Sequence, residues 1–221
     1  MKTLVLIACI VLTSFMSVQK KQRILFFGDS ITEAAVKPGG FIALMGDMLK
    51  QKGADANYEL VGAGVSGNKV YDLYLRMEED VLAKNPYAVV IWIGVNDVWH
   101  KRTSGTGTDA DKFERFYNAI IKKLQAKNIK VFVCTPAAIG EKTDYSNEQD
   151  GDLNKYANII RGIAKNNHCV LIDLRKLFLD YNLANNKDNK PSGILTGDGV
   201  HLNEAGNKAV AEEMMKNVIT Q

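Results

Sequence analysis

What most constrains this chain is an alternation. Short, nearly unbroken apolar runs of strand length are separated by longer segments whose apolar residues recur at helical spacing. Arg23–Phe27 reads as a first strand, Tyr58–Val61 as a second, Tyr87–Ile93 as a third, Ile129–Cys134 as a fourth and Cys169–Asp173 as a fifth. Continuous apolar runs, as opposed to every-other-residue ones, mark strands covered on both faces, the condition of a parallel sheet. The intervening spacing predicts helices over Phe41–Lys52, ending at Gly53, Val70–Lys84, stopped before Pro86, Asp109–Lys127, Asp152–Asn166 and Glu204–Ile219. The expected fold class is α/β, a three-layer α/β/α sandwich around a five-stranded parallel, doubly wound sheet with right-handed crossovers.

Four sequence blocks fall where such a sheet collects chemistry. Gly28-Asp29-Ser30 follows the first strand, Gly62-Ala63-Gly64 the second and Gly94-Val95-Asn96-Asp97 the third. All three therefore stand at the carboxyl ends of parallel strands, the edge where open α/β sheets bind ligands. Asp198-Gly199-Val200-His201 precedes the last helix and can fold over the same edge. The residue types are those of acyl transfer. A serine hydroxyl is a weak nucleophile until an adjacent imidazole takes its proton, and the oxyanion that forms needs donors already in place. Ser30 is the candidate nucleophile, His201 its base and Asp198 the group that orients the base, with Gly64 and Asn96 as candidate oxyanion donors.

In content and order the four blocks resemble the SGNH, or GDSL-type, hydrolase family of esterases and lipases, over the span from Ser30 to His201. The resemblance implies a flavodoxin-like strand order. It also implies an oxyanion hole formed by the Ser30 and Gly64 backbone N–H groups and the Asn96 side chain, with Asp198 and His201 completing a triad. Two positions depart from the family pattern: Ile31 stands where the family's name has Leu, and Gly62 where an Asn often precedes the oxyanion glycine. Neither position supplies a catalytic atom.

Each block also has a plainer reading. Ser30 at a strand-to-helix junction is a natural helix N-cap. Asp29 and Asp97, beside the site residues, suit side-chain hydrogen bonds to turn backbone, and Asn96 between Gly94 and Asp97 suits a turn. Gly62-Ala63-Gly64-Val65-Ser66-Gly67 satisfies G-x-G-x-x-G, but it lies at the second strand-to-helix junction. The acids that follow, Glu78, Glu79 and Asp80, belong to a helix and not to the end of the next strand, so dinucleotide binding is not expected. Ser66 misses the G-x-S-x-G elbow because Asn68 occupies the last glycine position. Trp99 and His100, just after the third block, are candidate substrate-binding residues lining the pocket. His168 precedes the fifth strand, at the opposite edge, and reads as structural.

Residues 1–19 read as a secretory signal peptide: Lys2, then an apolar run from Leu4 to Val18 interrupted only by Thr13, Ser14 and Ser17, then Lys20, Lys21 and Arg23. That run is shorter than the roughly 20 residues a membrane span needs. Leu6-Ile7-Ala8-Cys9 has the look of a lipoprotein cleavage box, too near the N-terminus to leave an apolar region before it. The expectation is export, periplasmic or secreted, with residues 20–221 forming one hydrolase domain and no stable membrane insertion after the leader is removed. The net charge of +3 comes from lysines scattered among acids, so nucleic acid is not an expected partner. Cys134 closes one predicted strand and Cys169 opens its neighbour, some four residues of offset, so free thiols are expected. Three scattered histidines and no Cys-x-x-Cys give no metal site, and no cofactor is expected. The polar run Asn185–Ser192 reads as a loop.

Members of the resembled family cleave acetyl groups from carbohydrates, lysophospholipids, thioesters and simple aryl esters. The expected function is a serine esterase for short acyl groups on a small-molecule or glycan ester, acetylated carbohydrate among them, working through an acyl-enzyme. The alternatives are a lysophospholipase or thioesterase, or a binding protein that keeps the scaffold without turnover.

Overall fold

The computed structural model describes residues 21–219. The expected leader over residues 1–19 lies outside the described residues. Five strands, β1 (Gln22–Gly28), β2 (Tyr58–Gly64), β3 (Ala88–Trp92), β4 (Lys130–Cys134) and β5 (Val170–Ile172), form one sheet in the order β2-β1-β3-β4-β5. Every neighbouring pair is parallel. The helices are α1 (Ser30–Ala34), α2 (Phe41–Gln51), α3 (Val70–Asp80), α4 (Val95–Thr103), α5 (Ala110–Gln125), α6 (Asp150–Asn166), α7 (Leu174–Asn185) and α8 (Glu204–Met214), which runs on into a π-helical turn to Ile219. The sandwich and its flavodoxin-like strand order are as expected.

Strand alternation sorts the apolar side chains into two cores. Ile24 and Phe26 of β1, with Val90 and Trp92 of β3, pack against Phe41 and Met45 of α2, Phe178 of α7 and Met214 of α8. Leu25 and Phe27, with Val89 and Ile91, pack on the other face against Met77 of α3, Tyr117 of α5 and Ile160 of α6. These side chains are all but excluded from water, and burying each one contributes about 1.5–3 kcal/mol. The strands show no alternation in sequence because each face meets its own helical layer.

Several local features depart from expectation. β2 continues to Gly64, so Gly62-Ala63-Gly64 is strand and not loop. α1, α4 and α7 have no counterpart in the helical spacing. α1 is five residues long, and α4 begins with Val95, Asn96, Asp97 and Val98, weak helix formers, so neither carries a helical signature. α7 begins where Asp173, the predicted end of the fifth strand, caps it by accepting the Lys176 N–H at 3.2 Å. The cysteines are free, as expected, though the offset is three residues and not four. Cys134 pairs with Ile172, and 172 − 169 = 3. Three residues span about 10 Å along a strand, beyond disulfide reach.

The loop from β4 to α6 borders the site, and a buried Arg175 fixes it. Its guanidinium donates to the Ala137 carbonyl at 3.0 Å, to Asn154 Oδ1 at 2.8 Å and to Asp150 at 2.7 Å. Arg175→Met should leave those acceptors without donors inside the protein and reduce stability by about 3–5 kcal/mol. Urea unfolding, with the slope unchanged and the midpoint lowered, is the check; a midpoint equal to wild type would show that the loop holds itself.

Candidate active site

The order of β2, β1 and β3 reverses at β1, so the crevice outside its carboxyl end is where this fold binds ligands. There the chain turns directly from β1 into α1. Asp29 caps that helix, its Oδ1 accepting the Ile31 N–H at 3.0 Å, and Ser30 is the first helical residue, not the cap. Ser30 Oγ lies 2.9 Å from His201 Nε2, and His201 Nδ1 lies 2.7 Å from Asp198 Oδ2. Residues 171 positions apart are thus within one hydrogen bond. Asp198 Oδ1 also accepts the backbone N–H groups of Val200 (2.9 Å) and His201 (2.7 Å), which locks the carboxylate to the loop carrying the imidazole.

Glu141, a residue the sequence did not bring forward, shapes the loop leading to Asp198. Its carboxylate is 1% exposed and accepts three consecutive backbone N–H groups, from Ile194 (2.8 Å), Leu195 (2.7 Å) and Thr196 (2.9 Å). Thr196 Oγ1 then accepts the Gly199 N–H, and the Gly199 carbonyl accepts the Gly140 N–H at 2.8 Å. A buried carboxylate needs donors, and these three backbone N–H groups occupy its acceptor sites. Its only signal in sequence is an acid beside a glycine.

Register places the other candidates around Ser30. Gly28 is aligned with Gly64 on one side and with Trp92 on the other. Gly64 packs against α1 so closely that a Cβ there would meet Glu33 N at 2.1 Å and Asp29 O at 2.6 Å, so only glycine fits. Gly94, at φ 124°, adopts a conformation suited to glycine and caps α4, so Asn96 sits in the first turn of a helix and not in a loop. The Asn96 side chain is buried, and its Nδ2 donates to the Asn68 carbonyl at 3.1 Å. An amide NH2 has two hydrogens, so one is committed there and fixes the direction of the other.

Trp99 packs edge-on against the His201 ring, centroids 6.2 Å apart, and against His100 at 5.6 Å. His100 borders Gly67 of the β2–α3 loop, so of the two aromatic candidates Trp99 packs on the His201 ring and His100 lies behind it. Asp97 reaches beyond its own turn. Its side chain accepts the Val70 N–H at 3.2 and 3.3 Å and so caps α3 from α4. His168 lies at the amino end of β5, away from this edge. Among the described residues no group of three or more His, Cys, Asp or Glu is placed to hold a metal ion, and no helix is long and apolar enough to cross a membrane.

The carboxylates of the site differ by environment. Burial pushes Asp29 up to about 7, opposed by its bond from Ile31 and reinforced by the Asp97 charge. Burial also pushes Asp97 up to about 7, against hydrogen bonds that include the Val70 N–H. Asp198 goes the other way: partial burial raises it, but hydrogen bonds from the His201 ring and amide and the Val200 amide hold it below the usual carboxylate range.

The doubly wound sheet and the Ser30–His201–Asp198 chain at its switch point define a class, an α/β protein built like a serine hydrolase. More narrowly, the chain belongs to the GDSL-like lipase/acylhydrolase family, whose model matches residues 26–209, and it is a carboxylic ester hydrolase. It is 28% identical to an acetylxylan esterase of Geobacillus stearothermophilus, over 92% of this chain and 96% of that protein. It is 25% identical to the isoamyl acetate-hydrolyzing esterase 1 homolog of Mus musculus, over 84% and 77%. Among solved structures, the acetyl xylan esterase AlAXEase superposes with a TM-score of 0.88 at 65% identity, over 89% of this chain and 99% of that one.

Folding raises the pKa of Asp29 and Asp97 above their ordinary 3.8, so the folded state takes up protons. The stability tied to them is fully present below that value and is lost as pH rises through about 7. Asp198, whose pKa is lowered, acts in the opposite window, below 3.8. Asp29→Asn keeps the acceptor for Ile31 but cannot ionise, and should flatten the fall in Tm between pH about 4 and about 7. A thermal-melt series across that range measures it; an unchanged slope would place the titration elsewhere.

Proposed function

We propose that the protein is a serine esterase that removes short acyl groups, acetyl above all, from hydroxylated substrates such as acetylated carbohydrates. The observation that carries the mechanism is the continuous chain from Ser30 Oγ through His201 to Asp198. Ser30 Oγ attacks the ester carbonyl carbon as its proton passes to His201 Nε2. Asp198 holds the Nδ1–H tautomer and stabilises the imidazolium. The carbonyl oxygen, now anionic, is received by the Ser30 and Gly64 amides and by Asn96. Collapse of the tetrahedral species expels the alcohol, which takes its proton from His201. Water then repeats the sequence on the acyl-enzyme, releasing the acid and restoring Ser30.

The substrate reading is supported by what the relatives share. Acetylxylan esterase and isoamyl acetate-hydrolyzing esterase differ in the alcohol their names specify, yet both names specify acetate. The side chains of His201 and Asp198 are 43% and 53% exposed, which suits a site that admits a bulky alcohol part. We also propose export, on the basis of Lys2 and the apolar run from Leu4 to Val18; the mass of the protein recovered from the periplasm or medium tests whether a leader has been removed.

With a series of p-nitrophenyl esters, kcat/KM should be highest for acetate and decline as the acyl chain lengthens; a maximum at eight carbons or more would favour a lipase. Ser30→Ala should lower kcat by about 10⁴-fold while leaving the fold intact, and should abolish labelling by an organophosphonate. Near-normal turnover by that variant would remove Ser30 from the chemistry. Asn96→Ala should lower kcat by about 10²- to 10³-fold with little change in KM. A loss confined to KM would assign Asn96 to substrate binding.

A further inference from the structure

One stripe of α7, Arg175, Phe178, Leu179, Asn182 and Leu183, recurs at spacings of three and four and faces the loop between β4 and α6. Stripe and loop do not close on each other. Between them lies a cavity of about 240 Å³ with mainly apolar walls. Two observations set it apart from a gap in packing. Tyr145 and Leu183, both on its wall, are 96% and 61% exposed, and Tyr145 stands out from the loop at φ 65°, a conformation that bulky residues seldom adopt. Asp144 holds that turn by accepting the Ser146 amide at 3.1 Å and hydroxyl at 2.6 Å. Asn182, by contrast, is only 5% exposed, yet its Oδ1 is sealed from water with no hydrogen-bond partner among the described residues. A polar group buried in this way costs stability unless something meets it, and the neighbouring amide of Asn147 is already engaged with the Lys142 carbonyl and with Asp150. Gly140, also on the cavity wall, donates its N–H to the Gly199 carbonyl at 2.8 Å, between Asp198 and His201. The cavity therefore adjoins the loop that carries the imidazole.

We infer that this cavity is a second binding site, which takes an uncharged sugar unit of the same glycan that presents its ester to Ser30. The inference rests on the reading of the substrate as an acetylated carbohydrate. The walls select the class of ligand. A sugar ring has an apolar C–H face and a rim of hydroxyls; the face suits Tyr145, Leu179 and Leu183, and a carboxamide, with one acceptor and two donor hydrogens, suits neighbouring hydroxyls. The last torsion of an asparagine is soft, so either end of the Asn182 amide can turn to the cavity. The buried charges on the wall, Arg175 and Asp150, pair with each other at 2.7 Å and make no demand for a charged ligand. An acyl chain would fill the apolar part and leave the amide unmet. Two contacts with one polymer raise its effective concentration at Ser30 without any new contact to the reacting ester.

The test uses Tyr145→Ala and Asn182→Leu in the full chain. Tyr145 is almost wholly exposed, so its removal does not touch the core, and that variant decides the question if Asn182→Leu fails to fold. Unacetylated xylotetraose is titrated into isotope-labelled protein and followed by amide NMR, and initial rates are measured on acetylated xylan and on p-nitrophenyl acetate, which is too small to reach beyond the cleft. In the wild type the Asn182 side-chain NH2 and the backbone amides of Tyr145 and Leu183 should shift with added saccharide. In each variant its binding should weaken by about 10-fold, and kcat/KM for acetylated xylan should fall by a similar factor relative to that for p-nitrophenyl acetate. Shifts confined to residues around Ser30 and His201, or a ratio of the two activities within about twofold of wild type in both variants, would overturn the inference. The two levels separate in the wild type. If it turns over p-nitrophenyl acetate but neither binds xylotetraose nor deacetylates xylan, the glycan reading has failed and takes the second site with it; if it deacetylates xylan and the variants do so equally well, only the second site has.

Discussion

The pairing of β1 with β2 on one side and β3 on the other is the constraint from which the site descends. Because Gly28 is in register with both Gly64 and Trp92, the chain leaves three adjacent strands at nearly the same height. The segments carrying Ser30, Gly64 and Asn96 must then share one crevice. Side chains too large for the junction would undo this: a Cβ on Gly64 would press into the α1 backbone at Glu33, and one on Gly28 would meet the Trp92 carbonyl at 2.5 Å. Small residues at these points are a packing requirement before they are a chemical one.

Around that crevice, carboxylates act as clamps for backbone. Asp29 holds the first turn of α1, Asp97 the first turn of α3, and Glu141 the three amides that lead into the Asp198–His201 loop. Glu33 adds a fourth clamp at the surface, accepting the Ser66 amide at 2.6 Å and hydroxyl at 2.5 Å and so bridging α1 to the loop after β2. Buried backbone donors at helix starts and in irregular loops need acceptors, and short acidic side chains supply them without an intervening water. The cost appears in titration: desolvation raises Asp29 and Asp97 toward neutrality while the same kind of bond holds Asp198 down. Local rigidity beside Ser30 is thus gained at some expense in stability near neutral pH.

The esterase family brings a second layer to this picture. Relatives that share the acetyl group in their names but differ in the alcohol suggest a division of labour within one cleft. On the proposed mechanism the elements fixed by strand register would handle the acyl carbon, and the exposed edge near Trp99, His100 and His201 would meet whatever the acyl group is attached to. That division would follow from the proposed chemistry, in which the acyl carbon reaches Ser30 at the end of a buried strand and the alcohol oxygen leaves toward the half-exposed imidazole of His201.

By itself the sequence determined the layer architecture and brought forward the candidate reacting groups. Runs such as Tyr87–Ile93 declare a strand buried on both faces because burial is local and repetitive, and Ser30, Asn96, Asp198 and His201 stand in blocks whose residue types have few other joint uses. It did not determine α4 and α7, since short helices starting in Val, Asn or Asp draw their stability from packing and not from spacing. Nor could it place Glu141 or Arg175, which are unremarkable charged residues until the loop at Ile194–Thr196 and the Ala137 carbonyl are brought to them. Those roles consist of hydrogen bonds between segments distant in the chain. Only the closed sheet, with its strand order and register, decides which backbone groups a given side chain can reach.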